Sequence, residues 1–430
     1  MIGLIITIFT VGYLSIALEH TIKINKAATA LITGIVCWTV YILYTPDKEM
    51  VGEQLSHHLS ELSGILFFLL GAMTIVELAD LFNGFDIITA RITQINKLKL
   101  LWIISFITFF LSAVLDNLTT TIVILSLTAK LIKGEKDRLF FAGMTVIAAN
   151  AGGAWSPIGD ISTTMLWIGG QITSFNIVTA SILPSLVCML APLIFMSFKM
   201  KGDVERPLES NRDSSIYIPK KQQYIIFFCS VLVLVMVPVF KTLTHLPPYM
   251  GILLGLSVLW IITEIIRRAG NNKEKDVLSV SYALRKIDTP SILFFLGILL
   301  SVAALEATGM LAGLSNWLSD TVKNEKIIVI SIGLISAVVD NVPLVAAAQG
   351  MYDLSQYPTD HLFWSFMAFC TGTGGSALII GSAAGVVAMG MEKISFFWYL
   401  KKISLLALLG YFAGVVAFLL QHYLSGGLGN

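Results

Sequence analysis

The stretch Ser112-Ala113-Val114-Leu115-Asp116-Asn117 returns as Ser336-Ala337-Val338-Val339-Asp340-Asn341, five of six residues identical, at an offset of 224 in a chain of 430. Each copy sets an ionisable Asp and a polar Asn in the middle of an apolar run. In a bilayer that placement is costly, and such residues mark a functional site by default. One copy in each half points to an internal duplication, which in membrane proteins is a feature of transporters.

The surroundings are those of a membrane protein. The chain is 56% hydrophobic and 13% charged, against roughly 45–50% and about 25% in soluble domains. Mean hydropathy is +0.82. Apolar runs long enough to span a bilayer recur, which predicts an all-α polytopic fold whose constant partner is lipid. A formal net charge of +1 gives no case for nucleic acid. Ile2–Ala17 has no basic residue before it and reads as a membrane helix, not a cleaved signal. Cys37, Cys188, Cys229 and Cys370 lie singly in apolar segments and read as small hydrophobes, neither disulfides nor metal ligands. There is no Walker motif, nucleophile elbow or metal-spaced His/Cys cluster, so neither an ATPase nor a bound cofactor is expected.

Outward from Asp116-Asn117, the arms 100–115 and 118–132 are each shorter than the roughly 20 residues of a spanning helix. Lys97 and Lys99 flank one arm; Lys130, Lys133, Lys136 and Arg138 flank the other. Basic flanks on both sides predict entry and exit on the cytoplasmic face. The hairpin 100–132 is therefore expected to be re-entrant, with Asp-Asn at its tip. Before it come helices at 2–17, 27–44 and 64–82, with the acidic stretch 45–63 as an external amphipathic connection and Arg91 on the cytoplasmic side. After it, 139–172 reads as a broken helix. Its interruption, Asn150-Ala151-Gly152-Gly153-Ala154-Trp155-Ser156-Pro157-Ile158-Gly159-Asp160, holds three Gly and a Pro. Such bare backbone is tolerated in a membrane only where it lines a cavity or protein interior.

A segment at 177–198 closes the first repeat, 1–200. A basic linker follows, with Lys199, Lys201, Arg206, Arg212, Lys220 and Lys221. It puts 201–223 on the cytoplasmic side. The second repeat, 224–424, runs in the same order: helices at 224–239, 249–266 and 291–308, hairpin 327–351, broken helix 362–391, and a last helix at 405–424. Gly152, Gly153 and Gly159 return at an offset of 222 as Gly374, Gly375 and Gly381, and Asp160 is replaced by Ser382. The second hairpin is flanked by Ser319, Asp320, Asp353 and Asp360, with Lys323 and Lys326 as exceptions. It is expected to enter from outside. Opposite entry makes an inverted repeat, with the site near the midplane.

Asp116, Asp160 and Asp340 are the strongest site candidates. A capping role for these tips suits Asn117 and Asn341 best. Three buried carboxylates need a positive partner. No Lys or Arg lies in the core of these segments, so a proton or a metal cation must serve. Burial and like charge both favour the protonated carboxylate, which lets protons compete with a cation. A hard monovalent cation wants oxygen ligands, and Thr119–Thr121, Ser162, Thr163, Thr164, Thr371, Thr373, Ser376 and Ser382 supply hydroxyls nearby. Taken singly, such hydroxyls more often bond back to their own helix. Glu77, Asp80 and Glu306 lie toward helix ends, where Glu77 is a candidate for a proton path. His57 and His58 read as a solvated pair, and Lys401 and Lys402 as an interfacial anchor.

These motifs together resemble the NhaD-type sodium/proton antiporters of the ion transporter superfamily, which also holds arsenite permeases and dicarboxylate symporters. The likeness runs over nearly the whole chain. It implies a homodimer in the bacterial inner (cell) membrane, with a scaffold domain and a transport domain that moves as an elevator. It implies export of Na+, and of Li+, against inward protons. It draws the ion site from Asp116, Asn117, Asp160, Thr163, Thr164, Asp340, Asn341 and Ser382. Asp at both tips repels a di-anion, which counts against carboxylate transport. An arsenite or other anion permease is the alternative transporter, and a membrane-embedded hydrolase using Asp116 and Asp340 the alternative enzyme.

Overall fold

The computed structural model describes residues 1–17, 22–89, 92, 94–206, 218–268, 278–322 and 324–426. Arg91, Arg212 and Lys323 lie outside the described residues, as do the side chains of Glu61, Lys130 and Ser319. The described chain is helical, with one isolated bridge between Asn96 and Asp203. Eight of its helices are long and apolar enough to cross a membrane, as a polytopic membrane protein requires.

The early helices form where the apolar pattern puts them. Ile2–Ala17 matches its expected bounds. Lys26–Tyr44 starts at Asn25, whose side chain accepts from the Ala27 N–H at 2.8 Å. The next element differs from expectation. The acidic stretch 45–63 is not a separate connection: Lys48–Leu81 is one helix of 34 residues, opened by the Asp47 cap on the Met50 N–H at 3.0 Å. No Pro follows Pro46 to stop it. At about 1.5 Å per residue it measures roughly 51 Å, well beyond the ~30 Å hydrocarbon layer.

The halves interlock reciprocally. Lys26–Tyr44 packs on Thr289–Ala307, while Lys48–Leu81 packs on Pro248–Arg268. In repeat terms, the second helix of each half meets the third helix of the other. At the first of these crossings a Cβ on Gly34 would lie 2.7 Å from the Gly297 carbonyl oxygen, so glycine lets the two backbones touch. The same exchange occurs deeper in the fold. Asn117–Leu131 packs on Ala383–Met391, and Asn341–Met351 on Ile161–Ile168. The closing helices Ser174–Lys199 and Ser404–Leu424 pack on each other.

Each hairpin tip leans on the broken helix of its own half. The first hairpin is Lys97–Leu115 and Asn117–Leu131, turning at Asp116 alone. In the second, the helix Glu325–Ile335 stops earlier than 327–339 would have it, and Asn341–Met351 follows. Residues 336–339 coil into tight turns, with Val338 N bonding Ile335 O at 2.9 Å. The β-branched pair Val338-Val339 replaces Val114-Leu115 and resists a last helical turn. Both hairpins are fastened by the same bond. Ser112 Oγ donates to Ala149 O at 2.6 Å, and Ser336 Oγ to Thr371 O at 2.9 Å.

The breaks are shorter than the glycines suggested. Helix Glu135–Gly153 carries Asn150, Gly152 and Gly153 within it, and only 154–160 is irregular before Ile161–Ile168. In the second half, Leu362–Gly374 is followed by a single 3-10 turn, Gly375–Ala377, and the chain resumes at Ala383–Met391. Gly152 and Gly374 are there for contact, not for bending. A Cβ on Gly152 would overlap the Phe109 carbonyl oxygen, and one on Gly374 the Gly333 carbonyl oxygen. Phe109 and Gly333 are themselves equivalent positions of the two hairpins, at the offset of 224.

Candidate ion-binding site

Asp160 is the focus of the interior. It is buried and caps the half-helix Ile161–Ile168, its Oδ1 accepting from Ser162 N–H at 2.9 Å and Ser162 Oγ at 2.7 Å. The two tip asparagines then converge on it from opposite halves. Asn341 Nδ2 donates to Asp160 Oδ1 at 2.9 Å, and Asn117 Nδ2 to Asp160 Oδ2 at 2.6 Å. Asn117 Nδ2 also reaches Asn150 Oδ1 at 3.1 Å. Asn150 in turn donates to Ser376 Oγ and Ser382 Oγ, both at 2.9 Å. One chain of hydrogen bonds thus runs from Asn341 through Asp160, Asn117 and Asn150 to Ser382.

This reverses one expectation. Asn117 and Asn341 are not the caps of the hairpin tips; they are the groups that reach the centre. At the first tip, capping falls to the aspartate. Asp116 caps Asn117–Leu131, its Oδ1 accepting from Thr119 N–H at 2.7 Å and its Oδ2 from Thr119 Oγ1 at 3.0 Å. Its backbone, at φ 81° and ψ 162°, lies in a region that is almost exclusively glycine's. Holding Asp there costs of order 1–3 kcal/mol, which the surrounding packing must sustain. Asp340 begins Asn341–Met351 at a relaxed φ of −48° and makes no capping bond with its side chain.

Asp116 and Asp340 line one cavity of about 540 Å³, together with Lys23, Lys26 and Asp288. Asp160 lies behind its wall, close enough to interact electrostatically with both aspartates. Asp340 and Ser382 also line a smaller adjoining cavity of about 60 Å³. The sequence candidates therefore divide. Asn117, Asp160, Asn341 and Ser382 belong to one buried network, and Asp116 and Asp340 open on the cavity beside it. Thr163 and Thr164 turn away: their hydroxyls donate to the Asp160 carbonyl at 2.8 and 3.0 Å. Thr121, Thr371 and Thr373 likewise bond back to their own helices. Glu77 is outside the cavity lining and interacts with Asp80 and Lys286.

The sequence marks Asn150 as the start of the break; the further signal that it belongs to the site is an amide in a run of apolar, buried positions. No Lys or Arg lies in the core of the hairpin and break segments themselves, but Lys26, 314 positions before Asp340 and from a different part of the chain, lines the same cavity.

A buried carboxylate gripped by amides where two helices are interrupted, in a chain with eight membrane-length apolar helices among the described residues, defines the class: a multi-pass membrane protein with the kind of intramembrane ionisable group that marks a functional site. A family model described as citrate transporter (CitMHS) matches residues 13–368. Sodium/proton antiporter 1 of Arabidopsis thaliana is 48% identical over 97% of this chain and 72% of its own length. Sodium/proton antiporter 2 of the same plant is 46% identical over 96% of this chain and 98% of its own. The Na(+)/H(+) antiporter NhaD of Vibrio cholerae is 30% identical over 97% and 91%. The chain belongs to this family, as one of the NhaD-type sodium/proton antiporters.

Proposed function

We propose that the protein exports cytoplasmic Na+, and Li+, in exchange for external protons by alternating access, with Asp160 at the centre of the cation site. The observation that carries this reading is the convergence of Asn117 and Asn341 on Asp160. Both hairpins then report on one carboxylate, so occupancy of that carboxylate is felt by both halves. Cation ligands are drawn from Asp160 Oδ2, Asn150 Oδ1, and the Ser376 and Ser382 hydroxyls, with Asn117 and Asn341 turning their amide oxygens inward when a cation replaces their N–H groups. Asp116 and Asp340 exchange cation and proton with the cavity.

The reciprocal packing of the halves supports an inverted repeat, with re-entrant hairpins and broken helices forming a transport domain that moves against a scaffold as an elevator. A homodimer in a bacterial cell membrane, with linker 199–223 cytoplasmic, completes the proposal. Four of the named NhaD relatives are bacterial, and two further relatives come from a plant. Lys23 and Lys26 on the cavity wall favour a second reading, an anion permease, which the family description as citrate transporter also suits.

Everted membrane vesicles separate the two. On the antiport reading, adding Na+ or Li+ dissipates a preformed pH gradient in the wild type and does nothing in Asp160→Asn. Dissipation by citrate or arsenite, with Na+ without effect, replaces antiport with the anion reading.

A further inference from the structure

The half-helix Ile161–Ile168 is held by a charged side chain at each end. Asp160 caps its start. At its other end Lys241 Nζ donates to the Trp167 carbonyl oxygen at 2.6 Å and lies 4.5 Å from the centre of the Trp167 ring. A cation against the last carbonyls of a helix is favoured by the helix dipole. Lys241 reaches there from a different group of helices. It stands in the last turn of Lys220–Thr244, which packs on Pro248–Arg268 and Lys48–Leu81.

This bond lies on the far side of Asp160 from the cavity. Ile161 lines the cavity of about 540 Å³, and neither Trp167 nor Lys241 does. Trp167 stands roughly 9 Å further along the helix axis. Just beyond it the chain is tied to the second half. Thr173 N–H donates to Asp360 Oδ1 at 2.6 Å, Thr173 Oγ1 to Asp360 Oδ2 at 2.8 Å, and Asp360 N–H to Gln171 O at 2.9 Å. The carbonyl end of the half-helix thus belongs to one tied body, and Lys241 grips that body from outside. The gripping end has its own loose joint. Pro238 lies inside Lys220–Thr244 and has no N–H for the Leu234 carbonyl, which frees the last turns to lean.

We propose that Lys241 is a positioning residue that holds the carbonyl end of the half-helix and keeps the face opposite the cavity shut, its bond to Trp167 breaking when the site opens to that face. This deepens, and rests on, the antiport reading by alternating access. A site open at Ile161 must be sealed at the other end, or the ion passes straight through. Lys241 supplies that seal without touching any group of the ion site.

The test reads the two faces separately. Full-length protein cleared of its four native cysteines carries one reporter at a time. Met73→Cys sits in the cavity lining. Val237→Cys replaces a buried residue one turn before Lys241 on the same side of its helix. Labelling of each by a water-soluble thiol reagent is followed in the purified protein. Losing a hydrogen bond from a charged donor shifts a two-state balance by roughly tenfold. Starting from about 10% in the other state, Lys241→Met is expected to raise Val237→Cys labelling about fivefold and to lower Met73→Cys labelling to about half. Lys241→Arg keeps a charged donor and is expected to return both reporters toward the wild type. Lys241→Gln, shorter and uncharged, serves if Lys241→Met fails to fold.

Unchanged labelling at both reporters overturns the proposal. A rise at Val237→Cys without a fall at Met73→Cys is loosened packing, and overturns it too. The antiport reading is decided apart from this, in everted vesicles. If the wild type does not couple Na+ to proton movement that reading falls, and the two reporters still decide whether Lys241 holds the closed face.

Discussion

Asp160 accepts four donated hydrogen bonds, from Ser162 N, Ser162 Oγ, Asn341 Nδ2 and Asn117 Nδ2. Bonds to a charged group contribute about 1.5–3 kcal/mol each, and their loss underground in a buried site is felt in full. Asn117→Ala is thus expected to lower the stability of the cation-free protein by about 1–3 kcal/mol. Na+ should restore more stability to that variant than to the wild type, because a cation does for Asp160 what the amide did. Thermal unfolding in detergent with and without Na+ measures both. By contrast, Thr163 spends its hydroxyl on a backbone carbonyl. Thr163→Ala is expected to leave the Na+ half-saturation of transport within about twofold while costing up to ~1 kcal/mol of stability. The Asp-Asn pairs were legible from cost alone, since Asp116-Asn117 and Asp340-Asn341 interrupt apolar runs. Which member of each pair caps and which reaches inward was not. That depends on the rotation of the hairpin tip against Asp160, a contact between residues 181 positions apart in the case of Asn341.

At the level of elements, the decisive contacts are backbone against backbone. Gly152 meets Phe109, and Gly374 meets Gly333, at matching places in the two halves. Each glycine lets a hairpin arm sit directly on a broken helix. Gly152→Ala and Gly374→Ala must push the arm away, at a cost of about 1–3 kcal/mol apiece or more where the backbone cannot yield. The expected result is a lowered unfolding temperature for both, with transport falling in parallel as the Asn tips withdraw from Asp160. A Gly143→Ala variant, where the neighbour is the Ile403 side chain and not backbone, should lose less. The constant offset of 222 made these glycines visible in the sequence, but their meaning was misassigned. Glycine signals both a helix break and a close approach, and only the partner backbone distinguishes them. The helix Lys48–Leu81 escaped for a related reason. Its acidic first part has the polarity of a loop, yet contains nothing that stops a helix.

For the whole molecule, the duplication was the most legible feature, because offsets of 224 and 222 recover the hairpin tips and the breaks of the second half from those of the first. The exchange of partners between halves was not legible, since periodicity identifies a buried face without saying what covers it. On the proposed inverted arrangement, the linker near Glu205 and the turn near Gln356 face opposite sides of the membrane. Both positions are exposed. In a background cleared of the four native cysteines, Glu205→Cys should react with an impermeant thiol reagent only from the cytoplasmic side, and Gln356→Cys only from the other. Labelling of both from one side would remove the inverted topology and with it alternating access through a midplane site.

The central claim is that one buried carboxylate, Asp160, carries the exchanged cation. Its most direct test is uptake of radioactive sodium by proteoliposomes holding only the purified protein, driven by an imposed proton gradient. The account predicts gradient-driven accumulation by the wild type and none by Asp160→Asn, with Ser162→Ala intermediate because Asp160 keeps its other donors. Sodium accumulation by Asp160→Asn at the wild-type rate would contradict it.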